Sequence, residues 1–168
     1  MITIIFTRPK KWSLLSWLIK KFTKSQASHM MIGLEMYGVP VVIHSTMGGV
    51  QITPRKKQMV NNEILEEYKF IPDVTNGLKH SFDHLGERYD YVGLLGYAII
   101  LIMWRWFRRK MKNPLASPTA LVCSEFVLHV NHDGQIKEWE GLDPERTTPQ
   151  DLIEICRLNG SFVRVNNN

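Results

Sequence analysis

One cysteine at a helix start and two histidines on neighbouring strands could carry covalent chemistry in this 168-residue chain. The cysteine lies in Leu121-Val122-Cys123-Ser124-Glu125-Phe126-Val127, where an extended apolar stretch passes into a helix. Ser117-Pro118-Thr119 supplies breaker and capping chemistry upstream, and Asn131-His132-Asp133-Gly134 ends the helix. Cys123, Phe126, Val127 and Val130 fall at i, i+3, i+4 and i+7, so they share the face turned toward a sheet. Near a helix N-terminus, the dipole and the unpaired backbone N–H groups favour a thiolate and could hold an oxyanion. The plain alternative is a buried structural thiol, a common fate of free cysteine. A thiol nucleophile also needs a base, and the base needs a group to orient it. His29 opens the apolar stretch Ser28 to Met36, and His44 lies on the returning stretch Val41 to Thr46. Tyr37-Gly38-Val39-Pro40 is the turn between them, and it resets the pleat parity, so the two imidazoles can share one face.

The rest of the chain must position these groups. Residues 1–6 read as an Ile-rich strand, and Gly48-Gly49 turns into a further strand, Val50 to Thr53. Glu63 to Ile71 alternates as another strand, which makes the middle of the chain an antiparallel meander. Trp12 to Phe22 is an amphipathic helix with Trp12, Leu15, Leu18, Ile19 and Phe22 on one side and Ser13, Ser16 and Lys20 opposite. Packing of that apolar side on the core is its expected use, with a membrane-surface role as the alternative. Gly77 to Gly86 forms a short helix. Tyr91 to Trp104 is free of charge but shorter than the roughly 20 residues of a spanning helix, so it reads as a core helix ending in the basic tip Arg105 to Lys112. Thr148-Pro149 caps a last helix that aligns Leu152, Ile155 and Cys156, placing Cys156 in the core, and Ser161 to Val165 is a final strand.

Hydrophobic content of 44% and 22% charged residues describe a globular chain, read as one domain over residues 1–165 with a disordered tail at 166–168. Two cysteines without C-x-x-C spacing exclude a disulfide framework, and no cofactor or metal is expected. Six histidines and two cysteines make a zinc site conceivable, but it carries little weight beside the thiol; His80, His84, His129 and His132 show only that histidine is not rare here. His129 should point away from Cys123, and His132 should cap the helix end. Residues 1–60 hold nine Lys/Arg against one acid, Glu35, and residues 92–120 hold five bases and no acid. Those blocks suit an anionic surface or serve only solubility; no specific nucleic-acid partner is expected. No secretory signal opens the chain, so it is expected in the cytoplasm or carried in a phage particle, with peripheral membrane contact as an option.

Ser28-His29 opening an apolar strand, His44 on the next, Tyr89-Asp90, then Cys123-Ser124-Glu125-Phe126-Val127 resemble the circularly permuted papain-like hydrolases. These are relatives of the NlpC peptidoglycan peptidases and of lecithin retinol acyltransferase. Thr148-Pro149-Gln150-Asp151-Leu152 is similar to a Thr-Pro helix start near the end of such domains. The resemblance implies an α+β fold, with an antiparallel sheet of about five strands packed on the Cys123 helix. It implies Cys123 as nucleophile, His29 as base and His44 as the orienting group, a histidine there being similar to the acyltransferase branch. The expected activity is hydrolysis of an amide or ester through a thioacyl-enzyme, with peptidoglycan stem peptide as favoured substrate. A lipid-linked acyl substrate is the alternative, and a non-catalytic protein retaining the fold is the other.

Overall fold

The computed structural model describes residues 1–12, 16–17, 20–21, 24–46, 49–86, 123–144, 147–158 and 160–165, the side chain of Glu125 excepted. The expectations for Tyr89-Asp90, the Tyr91 to Trp104 helix, the basic tip Arg105 to Lys112, Ser117 to Thr119 and the 166–168 tail lie outside these residues.

The fold is α+β. Its strands are β1 (Thr3–Pro9), β2 (His29–Met36), β3 (Val39–Thr46), β4 (Gly49–Pro54), β5 (Asn62–Phe70) and β6 (Phe162–Arg164). They form one sheet of order β4-β3-β2-β1-β5-β6, antiparallel at every junction. Among the described residues the sheet has six strands where about five were expected; the expected meander holds for β2-β3-β4, but the strand at residues 62–70, β5, pairs with β1 and not with β4. Pattern alone does not place β1, which sits between β2 and β5; Thr3 to Thr7 are all buried because strands flank both edges and side chains cover both faces.

Pleat alternation divides the core. Ile4, Phe6, Met30, Ile32 and Ile43 point to the larger side, where Phe126, Val127, Leu152 and Phe162 pack on them. Ile5, Met31 and Val42 point to the smaller side, which Met59 and Ile64 help to cover. Met59 belongs to α1 (Arg55–Asn61), a helix with no counterpart in the sequence reading. On this smaller side Arg55 makes two bonds to buried Glu67, at 2.7 and 2.6 Å, and the Thr3 hydroxyl donates to the same carboxylate at 2.9 Å. A buried carboxylate is tolerable only with such compensation.

The remaining helices are α2 (Thr75–Asp83), α3 (Cys123–Leu128) and α4 (Pro149–Arg157). Helix α3 continues into a 3-10 turn, His129–Asn131, and packs on β2 and β3. The Thr148 cap of α4 is as expected, and Asp151 completes a capping box.

The Trp12 to Phe22 reading needs correction at Trp12 and Ser16; Leu15, Leu18, Ile19 and Phe22 lie outside the described residues. Residues 16, 17, 20 and 21 are helical, but Ser16 is buried while Trp12 and Trp17 are 78% and 43% exposed. The Ser16 hydroxyl donates to that of Ser28 at 2.7 Å, which gives the buried group its partner.

At Gly33 the β1–β2 interface has no room for a side chain: an added Cβ would lie 2.5 Å from Thr3 Oγ1 and 2.8 Å from Ile5 Cδ1. Gly33→Ala should therefore cost about 1–3 kcal/mol, the usual penalty of overpacking. Urea denaturation measures it, and a midpoint unchanged from wild type would show that the interface yields.

Candidate functional site

Two adjacent strands bring His29 and His44 together. His29 is the first residue of β2 and His44 lies within β3, joined by a two-residue turn in which Tyr37 and Gly38 both have positive φ, 52° and 77°. Such a turn follows the strand twist and fixes the register at Met36↔Val39, Gly33↔Val42 and Ile32↔Ile43. Nε2 of His29 then lies 3.2 Å from Nδ1 of His44, and Nε2 of His44 lies 3.2 Å from Thr53 Oγ1 on β4. Among the described residues, the ring of His29 hydrogen-bonds only to His44.

The bonding pattern restricts the tautomers. If Nε2–H of His29 donates to His44, then His44 carries its own proton on Nε2 and donates to the Thr53 hydroxyl. That arrangement leaves Nδ1 of His29 as a lone pair able to accept a proton. Burial keeps both rings neutral. His44 is 2% exposed, and burial lowers its pKa to about 4. His29 keeps part of its edge accessible, yet burial first and the neighbouring His44 second lower it to about 3.

Cys123 is buried at the first position of α3. Phe126, Val127 and Val130 are buried with it, so the face read from the sequence does turn inward. Alternation gives His29 and His44 the pleat face of Ile5, Met31 and Val42, whereas Cys123 belongs to the larger core with Met30, Ile32 and Ile43. A thiol on α3 and the imidazole pair therefore start from opposite pleat faces of the sheet. His29 is the first residue of β2, beyond the last paired β2–β3 positions, Ile32↔Ile43.

Cys156 differs. It is fully buried in α4, and burial, then the Glu66 and Glu138 carboxylates, push its thiol far above the ordinary value. It is a core residue, as its spacing suggests.

A second histidine cluster was not read from the sequence. His80 stacks on His132 with ring centroids 3.8 Å apart, and His84 on His129 at 4.6 Å. Gly77 permits this approach of α2 to the 3-10 turn, because a Cβ there would lie 1.8 Å from the Val130 carbonyl oxygen. His132 closes the 3-10 turn as expected, its backbone N–H donating to the His129 carbonyl at 3.1 Å, while its ring packs on His80. The signal was present as His80-x-x-x-His84, two imidazoles one helical turn apart. Among the described residues, no three His, Cys, Asp or Glu side chains converge as a set that could hold a metal ion.

No protein-family model matches the chain, and no curated protein matches it. A crystal structure titled as the metalloprotein yiiX from Escherichia coli O157:H7, DUF1105, is similar to it with a TM-score of 0.54. The match covers 99% of this chain and 96% of that one at 16% identity. At that identity it speaks for a shared fold alone.

The neutral imidazoles set a pH dependence. Between their folded values and the ordinary 6.5, the unfolded chain binds more protons, so stability falls as pH drops below 6.5 and levels off near 3 to 4. The slope is at most about 1.4 kcal/mol per pH unit for each histidine. His44→Gln should flatten the acid side of a stability–pH curve measured by urea unfolding; curves of equal slope would show that His44 titrates normally.

Proposed function

We propose that the chain is a cysteine hydrolase of the permuted papain-like kind, acting on an amide or ester. The observation that supports this most is the 3.2 Å contact between Nε2 of His29 and Nδ1 of His44; with Nε2–H of His29 as its donor, it orients a neutral base and leaves Nδ1 to receive a proton. Cys123 is the proposed nucleophile, and the proposal requires its thiol to reach Nδ1 around the end of β2. In ligand-free structures such contacts are commonly long and tighten with substrate bound.

In the proposed reaction the Cys123 S–H proton passes to His29 Nδ1 as sulfur adds to the substrate carbonyl carbon. Collapse of the tetrahedral adduct breaks the bond to the leaving amine or alcohol, which takes that proton from His29. Water then attacks the thioester, giving one proton to His29, and the Cys123 thiol is regenerated as the acid product leaves. His44 and Thr53 position the base and do not touch substrate. The resemblance favours peptidoglycan stem peptide as substrate. His44 in the orienting position favours a lipid-linked acyl group as the second reading.

Assays on wall peptides and on acyl lipids test the reading. Cys123→Ser should lower turnover at least about a thousandfold, and His29→Ala nearly as much. His44→Ala should retain measurable activity, and Cys156→Ser should retain full turnover per folded molecule. An active Cys123→Ser protein would sink the assignment. The acid limb of kcat/KM should lie below pH 6.5, because burial keeps His29 neutral and able to accept a proton. An acid limb above 6.5 would mean another base. In the folded protein iodoacetamide should label Cys123 before Cys156; the reverse order would exchange their roles.

A further inference from the structure

We propose that the surface carrying Trp12 and Trp17 docks on an anionic phospholipid bilayer. Single exposed apolar residues need no explanation, but these two indoles are 78% and 43% exposed and sit among like charges. Arg8, Lys10, Lys11, Lys20, Lys21 and Lys24 occupy this stretch, and no acid precedes Glu35. Lys10, Lys11, Lys21 and Lys24 are exposed, and Lys21 Nζ lies 4.5 Å from the Trp17 ring centroid. Arg8 is paired with Glu63 at 2.8 Å, and Lys10 acts on the same carboxylate.

The patch extends onto α1. Lys10 donates from Nζ to the Met59 carbonyl at 2.8 Å, and from its backbone N–H to the Asn61 carbonyl at 2.9 Å. This brings the exposed Lys56 and Lys57 and the 65% exposed Val60 to the same rim.

The chemistry favours lipid. An indole has an apolar body and one N–H donor, which suits the boundary between headgroups and acyl chains. Lysines can reach to the phosphate level while their stems lie along the apolar layer. Nucleic acid would use the same charges and could stack on the indoles. Val60 offers a base no stacking face, but it adds apolar area to an inserted rim.

The patch is tied to the candidate site, since the buried Ser16–Ser28 bond anchors the Trp17 segment to the residue before His29. Docking does not rest on the catalytic reading. Where that reading holds, docking brings His29 close to the membrane surface and selects substrates whose scissile carbonyl is borne by a membrane lipid.

Co-sedimentation of the full chain with phosphatidylcholine vesicles, with and without phosphatidylglycerol, tests this. Binding should require the anionic lipid and weaken with added salt. Trp12→Ala with Trp17→Ala should weaken it at least about tenfold, with the circular dichroism spectrum unchanged, because both rings are exposed. Lys11, Lys21 and Lys24→Gln should reduce the salt dependence while leaving the indole emission shift on binding. Cys123→Ser should bind as wild type, which separates docking from turnover. Absence of binding at low salt would overturn the proposal. So would full binding by the double tryptophan variant, or displacement from vesicles by single-stranded DNA bound more tightly than lipid.

Discussion

The contact between His29 and His44 depends on the register of the β2–β3 hairpin. Tyr37 and Gly38 fill a turn with no spare residue, and a slip of one position would send one imidazole to the opposite face. Tyr37 tolerates the left-handed conformation because its ring is fully in solvent and asks nothing of the core. Gly33, two residues on from Met31, keeps β2 close enough to β1 for the same register to hold on the other edge. The geometry of the imidazole pair is thus set by backbone constraints before any side-chain bond forms.

The sheet divides its labour between its faces. The larger face receives α3 and α4 over an apolar core and carries one ion pair, Arg157 with buried Glu66; the smaller carries the Arg55–Glu67 pair and the two neutral histidines. Polar groups there survive burial because each has a partner: Thr3 and Arg55 for Glu67, Thr53 for His44, His44 for His29. The ionic pair and the imidazole pair solve the same desolvation problem in opposite ways, one by matching charge and the other by giving it up.

Much of this was legible in the residues. The strands of His29 and His44 declared themselves as apolar stretches on either side of a turn, and the Cys123 face by its helical spacing. Thr148-Pro149 announced α4 because capping is local chemistry. Nonlocal features escaped. The central place of β1 depends on β5, some sixty residues away in sequence. Helix α1 is largely polar and shows little periodicity, and its role arises only from the uncovered patch at Ile5, Met31 and Val42. The burial of Ser16 also escaped, because its hydrogen-bond partner, Ser28, is 12 residues away in sequence. For the candidate site, spacing brought the two histidines together on one face. It could not show that the thiol and the imidazoles approach from different sides of a sheet.

The place of β1 also bears on how the chain acquires its structure. β1 has one partner that begins at residue 29 and another that ends at residue 70. β6 joins the edge only after residues 162–164 are made, where it pairs with β5. Nearly all pairing outside the two hairpins is remote in sequence, so loop-closure entropy must be overcome before the central contacts are rewarded. A chain so ordered folds slowly for its size. Until β5 arrives, the β1 edge that will hold Ile4 to Phe6 against it stays open to strands of other molecules.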